Sequence, residues 1–227
     1  MRAEGGGRRA ESECGDRTVK NLICFAVPEE AQAIPWKVWD WRNKVLVTGI
    51  GRQNAEKSVR EFLKNHSAKQ AFTCGFAGAL DPELAIGDVL FETSEVGLRE
   101  KLNAAGAKLA RFFCALRIAT TAAEKQELRR TTGADAVEME SQEIHAVCRE
   151  RGIPCATVRV ISDTAQVDLP LDFNLLSKPD LSLDYSKLMW AIVKSPGKIP
   201  ALLRLQKNCR FAAGQLAETL AKVIWPR

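Results

Sequence analysis

The chain reads as an α/β protein with a largely parallel sheet covered by helices on both faces. Three observations predict this. Strand-like runs alternate with helix-period segments through the first 165 residues, the pattern of a sheet whose crossovers are helices. The strand-like runs are short and nearly continuous in apolar residues, as buried parallel strands are. The 227 residues are 46% hydrophobic and 27% charged, enough for the large core of one domain.

Residues 1–18 are rich in Gly, Arg and Glu and lack apolar periodicity, which predicts a disordered leader outside a domain spanning 19–227. Asn21 to Val27 is a buried strand, and Pro28-Glu29-Glu30 suits a loop or a first helical turn. Lys44 to Thr48 is a second strand, closed by Gly49-Ile50-Gly51. Asn54 to Asn65 has Ala55, Val59, Phe62 and Leu63 on one helical face. Gln70 to Cys74 is a third strand, followed by a small-residue turn at Gly75-Phe76-Ala77-Gly78. Gly87-Asp88 turns into a strand ending at Glu92. Residues 98–109 suit a helix, Leu116 to Thr121 a strand, and Ala122 to Arg130 a polar helix. Ala136 to Glu140 leads into a helix ending near Gly152. Pro154 to Ile161 is a strand closed by Ser162-Asp163. Residues 164–185 read as loop, and the tail holds a helix near 208–224 with room for another before it.

Composition excludes several classes. No apolar run approaches the roughly 18 residues of a membrane span, and no apolar segment near the start resembles a signal peptide. Seven cysteines without a CxxC motif, with only His66 and His145 beside them, give a zinc site poor support and suit a reducing cytoplasm. No metal or cofactor is expected. The net charge of +5 is concentrated in the tail, where Lys178 to Arg227 holds nine Lys or Arg against Asp180, Asp184 and Glu218.

In open α/β sheets, ligands bind beyond the carboxyl ends of the strands. The strands deliver Glu29 and Glu30, the turn Gly75 to Gly78, and Ser162 with Asp163 to such ends; Glu138 and Glu140 stand where a helix begins. Each has an ordinary alternative as a helix cap, a first-turn carboxylate or a tight strand exit. Their joint order is more telling. The segments Phe25-Ala26-Val27-Pro28-Glu29-Glu30, Thr48-Gly49-Ile50-Gly51, Gly75 to Pro82, Gly87-Asp88-Val89, Ala136-Val137-Glu138-Met139-Glu140-Ser141 and Arg159-Val160-Ile161-Ser162-Asp163 resemble the purine nucleoside phosphorylase and nucleosidase superfamily. Within it the sequence is similar to methylthioadenosine/S-adenosylhomocysteine nucleosidases and to hopanoid-associated phosphorylases. The stretch from Ala123-Glu124-Lys125 to Val137 looks most like the hopanoid-associated branch.

The resemblance implies a three-layer sandwich around a mixed, largely parallel sheet, and an enzyme that breaks the N-glycosidic bond of an adenosine-type purine nucleoside. It implies that Asp163 is the general acid near purine N7, with its pKa raised by burial above the usual value of about 3.9. It implies that Glu140 grips the ribose hydroxyls beside Glu138, with Met139 packed on the sugar. Glu30, or Glu29 if the alignment slips by one, activates the nucleophile near Arg159. Ser162, Phe76, Ala77 and Gly78 complete the substrate-binding set.

Family phosphorylases hold phosphate with an arginine and a serine at positions that here fall on Thr73 and Phe76. That departure favours water as nucleophile, since phosphate needs charged donors. Phosphorolysis of a hopanoid-linked nucleoside and a purine-binding relative without catalysis are the alternatives. The stretch from Asp88 to Thr120 is also shorter than in the nucleosidases, which leaves the wall beside the base open. Trp36, Trp39 and Trp41 suit a core edge, or an apolar wall for a lipophilic 5′ substituent. The basic tail reads as a solvated helix pair, or as peripheral contact with anionic lipid. No nucleic-acid motif accompanies it. A homodimer in the cytoplasm is expected from the family.

Overall fold

Strand β1, Thr18–Phe25, alternates its side chains between two cores. Ile23 and Phe25 join Phe72, Phe91, Val158 and Val160 on one face. Leu22 and Cys24 join Ala71 and Cys155 on the other. Over Leu22–Phe25 the strand is buried on both sides and apolar at every position, which is why period-two patterning is absent there. These features belong to a computed structural model that describes residues 18–32, 42–176, 178 and 184–225. The expected leader, except Thr18 at the start of β1, and the three tryptophans near residue 40 lie outside the described residues.

The remaining strands are β2 (Asn43–Val47), β3 (Ser67–Ala79), β4 (Val89–Glu92), β5 (Lys108–Leu109), β6 (Phe112–Cys114), β7 (Ala136–Glu138) and β8 (Cys155–Asp163). The sheet runs β2-β1-β3-β8-β4-β5, with β7 bridging β3 and β6. The pairs β1–β2, β1–β3, β3–β8, β4–β5 and β6–β7 are parallel. The pairs β3–β7 and β4–β8 are antiparallel. The fold is thus the expected mixed, mostly parallel sheet between helical layers. Helices α2 (Arg52–Asn65) and α5 (Ser141–Glu150) seal one face through Ala55, Val59, Ile144 and Val147. Helices α3 (Val96–Ala104) and α7 (Ile199–Ile224) seal the other through Leu98, Leu102, Leu216 and Leu220. Helices α1 (Pro28–Ala31), α4 (Ala122–Thr132) and α6 (Tyr185–Lys194) complete the set.

Four local expectations are corrected. Gly75 to Gly78 is not a turn; β3 continues through it for 13 residues. The glycines mimic a strand exit in sequence, but β8 pairs with this stretch from Gly75↔Arg159 to Gly78↔Asp163 and keeps it extended. Residues 116–121 form no strand; the edge strand is β6, just before them. The helix expected over 98–109 ends at Ala104, since Lys108 and Leu109 pair with β4. Finally, the last helix begins at Ile199 rather than near 208, with Pro200 in its first turn, where its missing N–H is no loss.

The long β3 creates the crevice that matters. Along one edge it pairs with β1 as far as Cys74↔Phe25. Four residues on, β7 takes over the same edge at Gly78↔Val137. Between these partners the edge is open, and the chain leaving β1 folds back into the gap.

Candidate active site

Glu30 fills that gap. It sits on the one-turn helix α1, and its carboxylate reaches back to the turn's own start. Oε2 accepts from the backbone N–H of Ala26 at 2.9 Å and of Val27 at 3.2 Å. Oε1 accepts from the N–H of Phe76 at 2.9 Å, the β3 donor beyond the end of β1. Glu30 is buried and Glu29 is exposed, so of the two it is Glu30 that enters the crevice. Burial raises its pKa, against the opposing pull of Arg159 and the three N–H donors.

Arg159, on β8, is 1% exposed and forms the hub. Nη1 donates to the Cys74 carbonyl at 2.9 Å. Nη2 donates to Thr73 Oγ1 at 3.1 Å, Glu138 Oε2 at 2.6 Å and Glu140 Oε2 at 3.3 Å. Nε has no partner among the described residues. Burial disfavours the guanidinium, but Glu138, Glu140 and Glu30 hold it firmly charged. Gly75 makes the convergence possible. Its φ is +150°, and a Cβ there would lie 2.5 Å from both Arg159 Nη1 and Glu30 Oε1, so only glycine fits.

Glu138 and Glu140 divide their tasks. Glu138 ends β7, and its Oε2 accepts from the N–H of Glu140 at 2.9 Å and of Ser141 at 2.8 Å. Its Oε1 accepts from Ser141 Oγ at 2.7 Å. Burial pushes this carboxyl up, but Arg159 and these donors outweigh it and hold it below the usual range. Glu140 Oε1 accepts from the N–H of Gly51 at 2.9 Å. It has fewer donors and two carboxylate neighbours, so burial, then Glu138 and Glu30, push it up to about 7 despite Arg159. Met139 between them is half-buried.

Asp163 ends β8 on the opposite edge of β3. Its carboxylate lies over Gly78, where a Cβ would come within 3.1 Å of Oδ2. Oδ1 accepts from Ser162 Oγ at 2.8 Å. Oδ2 accepts from Lys125 Nζ at 2.6 Å. In place of purely apolar surroundings, then, this carboxyl has an ammonium partner. Lys125 is wholly buried and is the one buried residue of α4. Its other two protons go to the carbonyls of Thr164 at 2.9 Å and Val167 at 3.0 Å. Of the substrate-binding set, Ala77 and Ser162 are buried, while Phe76 and Gly78 are partly open. Cys209 of α7 also stands near: burial, then Asp163 and Glu30, push its thiol up to about 11. Sequence reasoning named neither Lys125 nor Cys209 as part of the site. For Lys125 the available signal was its place in a stretch already singled out, Ala123 to Val137.

Acidic groups gathered at a switch in strand pairing of an α/β sheet are the setting of a small-molecule site. A family model described as the phosphorylase superfamily matches residues 98–193. The aminodeoxyfutalosine nucleosidase of Campylobacter jejuni is 28% identical over 170 residues, covering 59% of this chain and 74% of that protein. The futalosine hydrolase of Helicobacter pylori has a TM-score of 0.67 at 18% identity, covering 91% of this chain and 97% of its own. The 5′-methylthioadenosine/S-adenosylhomocysteine nucleosidase of Helicobacter pylori has a TM-score of 0.68 at 17% identity, covering 92% and 99%. The chain has the fold of these nucleosidases.

Proposed function

We propose that the chain hydrolyses the N-glycosidic bond of an adenosine-type purine nucleoside. The observation that carries this reading is the gathering of Glu30, Glu138 and Glu140 around one buried guanidinium, with Asp163 across β3 from them. The kinship with nucleosidases supports the same chemistry.

Breaking this bond leaves positive charge on the ribosyl carbon and a base that departs well only when protonated. Three carboxyls face one guanidinium here, and Glu138 and Glu30 add to the burial that raises Glu140. A cation forming beside these carboxyls is attracted by them, which is stabilisation specific to the transition state. Glu140 accepts the ribose hydroxyls, and Met139 packs against the sugar. Glu138 is saturated by its own donors and holds Arg159 in place.

Water attacks the ribosyl carbon and passes its proton to Glu30, which burial makes a stronger base than an ordinary carboxylate. The carbon–nitrogen bond breaks with its electron pair going to the base. The base takes a proton at N7 from the Asp163–Lys125 pair. Lys125 suits this step because its three protons have three acceptors. Moving one of them onto Asp163 leaves the bonds to both carbonyls intact. Solvent exchange then returns a proton from Glu30 to the pair, so the cycle balances. Water is favoured over phosphate because Thr73 is engaged by Arg159 and Phe76 presents a backbone N–H to Glu30. Neither supplies the positive charge that phosphate requires.

The test is base release, followed by chromatography, from adenosine, methylthioadenosine, S-adenosylhomocysteine and aminodeoxyfutalosine, each with and without phosphate. Equal release in both conditions from at least one of them is expected. Release that requires phosphate would replace hydrolysis by phosphorolysis.

A further inference from the structure

We propose that residues 185–210 form an arm that lies on the surface of an anionic lipid bilayer. This goes beyond the catalytic reading and does not depend on it.

The arm comprises α6, a short 3₁₀ turn at Pro196–Lys198 and the first three turns of α7. Among its residues with described side chains, 186–210, none is buried. From Ala212 onward α7 packs through Ala212, Ala213, Leu216 and Leu220. One continuous helix, about 39 Å long at 1.5 Å per residue, is therefore embedded at one end and unpacked at the other.

What the unpacked part presents is specific. On α6, Met189, Trp190 and Val193 fall within one helical face by their i, i+1, i+4 spacing, and Trp190 and Val193 are 62% and 72% exposed. On α7, Ile199 and Leu203 are exposed one turn apart, and Lys207 and Arg210 extend the same stripe. Lys194 Nζ lies 3.4 Å from the centre of the Trp190 ring, placing a cation against an amphipathic aromatic. Between Tyr185 and Ala217 there are six Lys or Arg and no Asp or Glu.

An apolar face with an exposed Trp, on a stretch whose charged residues beyond the Asp184 cap are all cations, matches an interface whose outer layer is negative and whose next layer is hydrocarbon. A protein partner of mixed charge would not call for so one-sided a set. Among the described residues no helix is long and apolar enough to cross a membrane, so the arm lies on the bilayer.

The experiment is flotation of the full chain with vesicles of phosphatidylcholine alone and of phosphatidylcholine containing phosphatidylglycerol. Two variants accompany it, Met189→Ser/Trp190→Ser/Val193→Ser and Lys194→Gln/Lys198→Gln/Arg204→Gln/Lys207→Gln. Circular dichroism verifies that each variant is folded. The wild type is expected to float with the anionic vesicles and to be released by high salt. Each variant is expected to lose roughly tenfold or more in partitioning. Failure to bind anionic vesicles, or equal binding to neutral ones, would overturn the proposal. So would a dimer in sedimentation equilibrium that the apolar triple variant abolishes while vesicle binding is absent, since the face would then belong to a second copy of this chain.

Discussion

The two ends of the crevice solve the problem of buried charge in opposite ways. At the end proposed to hold the sugar, three carboxyls gather near a single guanidinium, and burial first of all pushes two of them upward. At the end proposed to hold the base, one carboxyl meets one ammonium whose three protons are all satisfied. An unbalanced cluster is suited to receiving a cation. A balanced pair is suited to holding a transferable proton in a fixed place. Glu30 and Glu138 reach the crevice from the β1 and β7 edge of β3, while Arg159 and Asp163 both come from β8 on the other edge, opposite Gly75 and Gly78.

The strongest way to break this contrast is to remove the hub. Arg159→Met should cost about 3–5 kcal/mol, the usual penalty for stripping a buried charge of its partner. The loss should be smaller in mild acid, where the carboxyls take up protons, and urea denaturation at two pH values measures both. Equal destabilisation at both would mean that the three glutamates are not held by this residue.

Lys125→Met attacks the other end. We expect kcat to fall roughly ten- to hundredfold near pH 8, the range of a misplaced general acid, with KM nearly unchanged. Activity should recover in acid, where solvent supplies the proton that Lys125 no longer does. A residue that only supports α4 would show no such recovery in a pH–rate profile.

Glu140→Gln sharpens the comparison through pH. The Glu140 carboxyl titrates near 7 in the folded protein against an ordinary 4.5. The native state therefore holds the extra proton between those values, and this contribution to stability is present below them and lost as pH rises toward 7. The variant should gain on the wild type across that window and run parallel to it above. Thermal denaturation over a pH series reads this, and weakened preference for ribosides over deoxyribosides should accompany it.

The smallest effect is expected from Gly78→Ala. The added Cβ would stand 3.1 Å from Asp163 Oδ2 and 3.3 Å from Val137 Cγ1, so the carboxylate must move by a few tenths of an ångström. Several-fold loss of kcat at nearly full stability is the expected outcome, as positioning arguments imply. Unchanged steady-state kinetics would show that the placement of Asp163 is not so tight.

The sugar end was the more legible in sequence, for a physical reason. Glu138 ends β7 with Glu140 two residues on, and Arg159 lies within β8, each in a short contiguous pattern, and a β-strand carries its residues to a predictable place. Lys125 was not legible because a lysine in a polar helix ordinarily faces water, and nothing local says that its ammonium turns inward onto the strand end 38 residues away. The glycines of β3 were misread because glycine ends strands far more often than it lets two side chains cross one. Edge strands β5 and β6, of two and three residues, are too short for any period to register. The early start of α7 was hidden because its first turns bury nothing, and so show no apolar face to detect.

The most direct test of the division of labour is to measure Asp163→Asn twice, by equilibrium dialysis of the preferred nucleoside and by single-turnover base release. The account predicts binding close to that of the wild type, with release slowed by about 10²–10⁴-fold. Release at near the wild-type rate would contradict it, since the proton for the departing base would then come from elsewhere.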